Sequence, residues 1–221
     1  MSKVRELDSM PPDADPREAL GIVAICFGCF IIGSVQAVLA RGAGESRFSN
    51  AGLDATLLLE LILGATALAV LSSRHYPLHM LWPRASWRGV LVGLGLFVCT
   101  GIVWNAGALL LPPDADWPIA GIMSRTSVSW SSVIPVSIVN GAYEEVFLLG
   151  YLMRGMRRHG ASTALGITVL VRMLYHMYQG PGGVLSVALF GIVLGLYYQR
   201  KGQLFPVVLA HIAADMAAFL A

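Results

Sequence analysis

Repeated apolar runs of similar length constrain the possible fold of this chain more than any other feature of the sequence. A helix needs about 20 predominantly apolar residues to cross the hydrocarbon core of a bilayer, and runs of that order recur from residue 18 onwards. They lie at about residues 18–40, 52–72, 88–111, 127–152, 161–179, 182–199 and 204–221. Only 13% of the residues are charged and 56% are hydrophobic, which is too apolar for a soluble domain of this size. The sequence therefore predicts an all-α, polytopic transmembrane helix bundle with about seven spans.

The N-terminal segment differs from the rest of the chain. Residues 1–16 contain three aspartates and three prolines and lack an apolar run, so they are expected to form a disordered cytoplasmic tail. Residues 17–221 contain no linker long enough to separate two folded units. We therefore expect them to form a single integral-membrane helical domain.

Basic residues alternate between the two ends of the predicted bundle. Eleven lie in the tail and in every second loop: Lys3, Arg5, Arg17, Arg74, Arg84, Arg88, Arg154, Arg157, Arg158, Arg200 and Lys201. Three lie in the other loops: Arg41, Arg47 and Arg125. Because basic residues near span ends stay on the cytoplasmic side, we expect a multi-pass cell-membrane protein with a cytoplasmic N-terminus. The apolar runs predict the lipid bilayer as a partner. The dispersed charge, with a net value of only +2, predicts no nucleic-acid partner.

Ionisable side chains interrupt the apolar runs in the C-terminal half. The titratable ones are Glu144, Glu145, His176, His211 and Asp215, and the fixed cation Arg172 lies among them. A charged group at the bilayer centre costs roughly 2.5 to 3.5 kcal/mol on insertion scales, and such groups usually face a wet cavity in which they act. These residues are therefore the candidate functional site.

The two adjacent glutamates are expected to have different roles. Neighbouring positions on a helix are about 100° apart, so Glu144 and Glu145 cannot both point fully into one narrow cavity. One can act as a base on water while a cation or hydrogen bonds hold the other. The alternative is a structural polar network that joins helices.

Two further pairs have helical spacing. Arg172 and His176 are four residues apart in the fifth run, so they are predicted to share a helix face. His211 and Asp215 have the same spacing in the seventh run, where the aspartate can orient the imidazole.

These residues give the chain a resemblance to a known family. It resembles the membrane-embedded CPBP family, which comprises the type II CAAX prenyl endopeptidases and the bacteriocin-processing or immunity proteins called ABI proteins. That family carries E-E-x-x-x-R, F-x-x-x-H and H-x-x-x-N or H-x-x-x-D on three successive helices. Here Glu144-Glu145, His176 and His211-Ala-Ala-Ala-Asp215 follow in the same order. The resemblance covers residues 140–221.

Two positions depart from the family pattern. Leu149 stands where the first motif has arginine, and Arg172 stands where the second has phenylalanine. We hypothesise an exchange in which Arg172 supplies the cation for the glutamates. Glu60, in the second run, is the rival partner, and a pair with it would be a structural salt bridge.

The resemblance implies a glutamate-type intramembrane endopeptidase that works without metal or other cofactor. Glu144 and His176 would activate water against a peptide carbonyl, with Glu145 as the supporting carboxylate. His211 and Asp215 would stabilise the oxyanion, the aspartate by orienting the histidine because an ionised carboxylate cannot donate a hydrogen bond. The substrate would be a peptide or protein, possibly prenylated.

Other functions compete with this one. Glutamate, histidine and aspartate can bind zinc, but H-E-x-x-H is absent, and a serine hydrolase lacks support because no G-x-S-x-G occurs. An ion- or proton-coupled transporter would also use intramembrane glutamate, histidine and arginine, although no inverted halves are visible. A family member without protease activity could act as a membrane binding or immunity scaffold.

Overall fold

The computed structural model describes residues 15–40, 47–109 and 118–219, and the regular structure in these ranges is helical. These described ranges contain eight α-helices, in order: α1 (Pro16–Leu39), α2 (Asn50–Ser73), α3 (Trp87–Ala108), α4 (Pro118–Ser124), α5 (Trp130–Glu145), α6 (Ala161–Tyr175), α7 (Gly180–Lys201) and α8 (Leu204–Ala218). A π-helix (Val146–Met153) continues α5 directly. Short 3₁₀ turns occupy Leu78–Leu81, Arg157–His159 and Met177–Gln179.

The predicted polytopic helical bundle is confirmed. Within the described ranges, five segments are long and apolar enough to cross a membrane: α1, α2, α3, α5 with its π-helical continuation, and α7 with the turn before it. Two predicted spans are shorter, because α6 and α8 have 15 residues each. The fifth run was expected to remain in one span to residue 179, but α6 ends at Tyr175. The short helix α4 was not predicted.

A polar cap explains where α1 begins. The Asp15 carboxylate accepts a hydrogen bond from the Arg17 backbone N–H at 3.0 Å, and Pro16 occupies the first helical position, where its missing donor costs nothing. Asp15 and Pro16 therefore belong to the start of α1 and not to the expected tail. Residues 1–14 of that tail lie outside the described residues.

The segment α5 with its π-helix is the central element of the bundle. An 18-residue window of it is 61% buried, against 17% to 28% in the other four candidate spans. It packs against α2 on one side and α8 on another. The contact with α8 is close at Gly141, where a Cβ would lie 2.8 Å from Ile212 Cγ1 and 3.0 Å from Ile212 N. A residue without a side chain lets the two backbones approach at this level.

The π-helix begins directly after the two glutamates. π-helical segments are rare and occur frequently at functional sites, because one extra residue per turn redirects the side chains on either side. Its residues Phe147, Leu148, Leu149 and Tyr151 are all buried. The segment therefore fills the bundle between the glutamates and the basic loop that follows Met153.

Candidate active site

Glu144 and Glu145 close the regular part of α5 and lie inside the bundle. Their residues are 4% and 0% exposed. Two ionised carboxylates this deep need positive partners, since an uncompensated buried charge costs several kcal/mol.

Arg172 on α6 binds both carboxylates. One terminal nitrogen of its guanidinium donates to Glu144 Oε2 at 3.1 Å, and the other donates to Glu145 Oε1 at 2.6 Å. The planar fork of arginine suits such two-point recognition. Glu60 is not the partner of Arg172: it is also buried, but within the described ranges its Oε2 has no hydrogen-bond partner.

Aromatic residues complete the surroundings of this ion pair. The Tyr175 hydroxyl donates to Glu144 Oε2, the same oxygen that Arg172 binds. The Phe190 ring on α7 lies 5.4 Å from the guanidinium carbon of Arg172 and packs edge-on against His211 with centroids 5.0 Å apart. A ring face stabilises the cation, so Phe190 supports Arg172 and also packs against His211.

His211 on α8 faces three carboxylates. Its Nδ1 lies 2.6 Å from Glu145 Oε1, and its Nε2 lies 3.9 Å from Glu144 Oε2 and 3.5 Å from Asp215 Oδ1. The second and third distances exceed a normal hydrogen bond. The Asn140 amide donates to Asp215 Oδ2 at 2.9 Å. Asp215 therefore accepts a hydrogen bond from α5 and faces the histidine with its other oxygen.

His176 differs from the expected arrangement. It caps the end of α6 instead of lying within the helix, so it does not share a regular helix face with Arg172. Its Nδ1 lies 2.9 Å from the Arg172 carbonyl oxygen. Because a carbonyl can only accept, Nδ1 carries the hydrogen, and Nε2 of the neutral ring has a free lone pair.

A cavity of about 590 Å³ reaches this cluster. Glu144, His176 and Asp215 contribute to its wall together with Asn140 and Glu60. Glu145 does not line it. The two glutamates therefore have different environments: one faces the cavity, and the other lies behind it between Arg172 and His211.

Sequence reasoning assigned no role to several of these residues. Tyr175 lies three residues after Arg172 and Asn140 lies four before Glu144, so helical spacing from a known site residue could have identified both. Phe190 on α7 had no such signal, because its contacts depend on how separate helices pack. In the ranges described above, no group of three or more histidine, cysteine, aspartate or glutamate residues is arranged to hold a metal ion.

Comparison with known proteins gives one match. Residues 126–217 match the family model described as "Type II CAAX prenyl endopeptidase Rce1-like". The matched segment begins just before α5 and ends in α8, so it includes all six residues of the candidate site. No curated protein and no solved structure matches the chain.

Proposed function

We propose that this chain, of which residues 126–217 match the type II CAAX prenyl endopeptidase model, is an intramembrane endopeptidase in which Glu144 activates water. One observation carries the proposal. Glu144 lines the cavity while Arg172 and Tyr175 both bind its Oε2. None of the described residues bonds to Oε1. The two hydrogen bonds to Oε2 thus hold the Glu144 carboxylate in place, and Oε1 remains available to a water molecule.

The reaction follows from this arrangement. Glu144 Oε1 takes a proton from water as the water oxygen bonds to the peptide carbonyl carbon. The free Nε2 of His176 accepts the second hydrogen bond from that water and orients it. As the tetrahedral intermediate collapses and the C–N bond breaks, Glu144 returns its proton to the leaving amine.

We assign His211 as the donor to the oxyanion: its ring does not line the cavity, but its Nε2 faces Glu144 and Asp215, which do. With Nδ1–H donating to Glu145, a protonated ring has a second N–H at Nε2, and the distances of 3.5 and 3.9 Å leave that hydrogen uncommitted. A preorganised donor of this kind stabilises the charge that develops in the transition state. Asp215 and Glu145 orient the ring, and Asn140 holds Asp215.

The test is cleavage of a peptide library by the purified full-length protein in detergent. Glu144→Gln and His176→Gln should each lower kcat/KM by about 100-fold or more, which is the usual contribution of a general base. Asp54→Asn and His159→Gln are the matched controls, because both residues are exposed and lie outside the cavity. The controls should cleave like the wild type.

Three outcomes would overturn parts of the proposal. Full activity in Glu144→Gln would remove the assignment of the base. Loss of activity with a chelator, restored by Zn²⁺, would show a metallopeptidase. A folded wild-type protein that cleaves no peptide, even when reconstituted in liposomes, would favour a binding scaffold.

A further inference from the structure

The cavity at Glu144 extends towards one end of the bundle only. Besides its inner residues, its lining includes Ser49 and Gly52 at the start of α2, Gln179 before α7 and Phe219 after α8. Because consecutive spans alternate in direction, these positions all belong to the same end. Ser49 and Gly52 are exposed, so the lining reaches the surface there.

Buried apolar residues separate Glu144 from the other end. Leu148, Leu149 and Tyr151 of the π-helix are at most 2% exposed, and the Tyr151 hydroxyl donates to Glu18 on α1 at 3.1 Å. A second cavity, of about 1140 Å³, lies at that end and is lined by Arg84, Arg154, Arg157 and Arg158 among others. The two cavities share no lining residue.

The basic residues indicate which end is cytoplasmic. Among the described residues, nine lysines and arginines lie at the end with the second cavity, and two, Arg47 and Arg125, lie at the end where the Glu144 cavity opens. Basic loops remain in the cytoplasm. The mouth of the Glu144 cavity therefore belongs to the non-cytoplasmic side.

We infer that the substrate enters from the non-cytoplasmic face of the membrane and is a peptide segment exposed at, or inserted from, that face. The aromatic residues Phe48, Trp104, Tyr178 and Phe219 line the outer part of the cavity, so they suit apolar side chains of the substrate, and Arg47 adds a cation at the rim. This inference rests on the proposed function, in which Glu144 is the group that activates water.

Cysteine labelling tests the access route without relying on proteolysis. In a background without Cys26, Cys29 and Cys99, Ala218→Cys places a thiol on the cavity lining and Ala85→Cys places one in the second cavity. Both alanines are exposed, which makes the pair matched. A membrane-impermeant maleimide added to intact cells should label Ala218→Cys, whereas Ala85→Cys should react only after permeabilisation.

Activity of the labelled proteins completes the test. In proteoliposomes, a bulky maleimide on Ala218→Cys should lower peptide cleavage by about tenfold or more because it fills the entrance of an enclosed site. The same group on Ala85→Cys should leave cleavage unchanged. Labelling of Ala85→Cys in intact cells, or equal inhibition from both positions, would overturn the inference. If Ala218→Cys is labelled in intact cells but the protein cleaves no peptide, the proposed function is refuted and the access route is supported.

Discussion

At the scale of residues, the site depends on one cation that serves two acids. The side chains of Arg172, Glu144 and Glu145 are at most 6% exposed, so water screens their charges only weakly. Such a set is stable only when complete, because removal of one partner leaves a buried charge without compensation. The leucine at position 149 agrees with this arrangement, since it packs in an apolar cluster and leaves the cationic role to α6.

Arg172→Met should lower the free energy of unfolding by about 3–5 kcal/mol, the usual cost of breaking a buried ion pair. Reversible unfolding in detergent measures this change. Arg172→Lys is the matched control: it keeps the charge but loses the fork, so its loss should be smaller.

The double variant Arg172→Met with Leu149→Arg tests the exchange inferred from the two departures. A cation one turn after Glu145 should restore part of the lost stability. Equal instability in the single and double variants would show that the two positions did not exchange roles.

At the scale of elements, the contact between α5 and α8 positions the carboxylates against His211. Gly141 is the point of closest approach, and it lies one turn before Glu145, while Ile212 directly follows His211. The distance of 2.6 Å between His211 Nδ1 and Glu145 Oε1 therefore depends on a helix spacing that only a small residue permits.

Gly141→Ala should separate α5 from α8, because the new methyl group would meet both the side chain and the backbone nitrogen of Ile212. Overpacking of this kind costs about 1–3 kcal/mol, and peptide cleavage should fall with it. Gly166→Ala on α6 is the control, since its Cβ would meet nothing within 4 Å. Wild-type stability and activity in Gly141→Ala would show that the spacing is not needed.

At the scale of the whole molecule, the N-terminal half supports the site although the family match covers only residues 126–217. Phe27 on α1 stacks on Tyr175 with centroids 5.1 Å apart and packs edge-on against Tyr143. The Tyr143 hydroxyl in turn donates to the Cys26 carbonyl. The tyrosine that holds Glu144 is therefore held by a helix from outside the matched segment.

Phe27→Ala should cost about 3–5 kcal/mol in unfolding free energy, as expected for a fully buried aromatic side chain. Peptide cleavage should also fall because Tyr175 loses the ring beneath it. Leu20→Ala on the same helix is the control, since Leu20 is 69% exposed and faces outward. Equal losses of stability and cleavage in Phe27→Ala and Leu20→Ala would mean that α1 does not position Tyr175 through Phe27.

The sequence predicted the helical bundle because runs of about 20 apolar residues have few other stable conformations in lipid. It also singled out the candidate site residues, because an ionisable group inside such a run is costly wherever the helix lies. It left two partners open for Arg172 and extended the fifth span past His176. Both limits have the same cause: spacing along the chain describes a single helix, whereas an ion pair depends on the rotation and depth of two.

Only the tertiary structure decided how the helices share the site. It paired Arg172 with the two glutamates and left one oxygen of Glu60 without a partner among the described residues. It also brought Tyr175 to Glu144, and Phe190 to Arg172 and His211. It also placed the cavity at the end with few basic residues. Sequence alone determined which side chains had to avoid lipid, because that is a property of each residue and its neighbours. Their partners followed from packing, because contacts between helices depend on close approaches such as that at Gly141 and on the π-helix after Glu145.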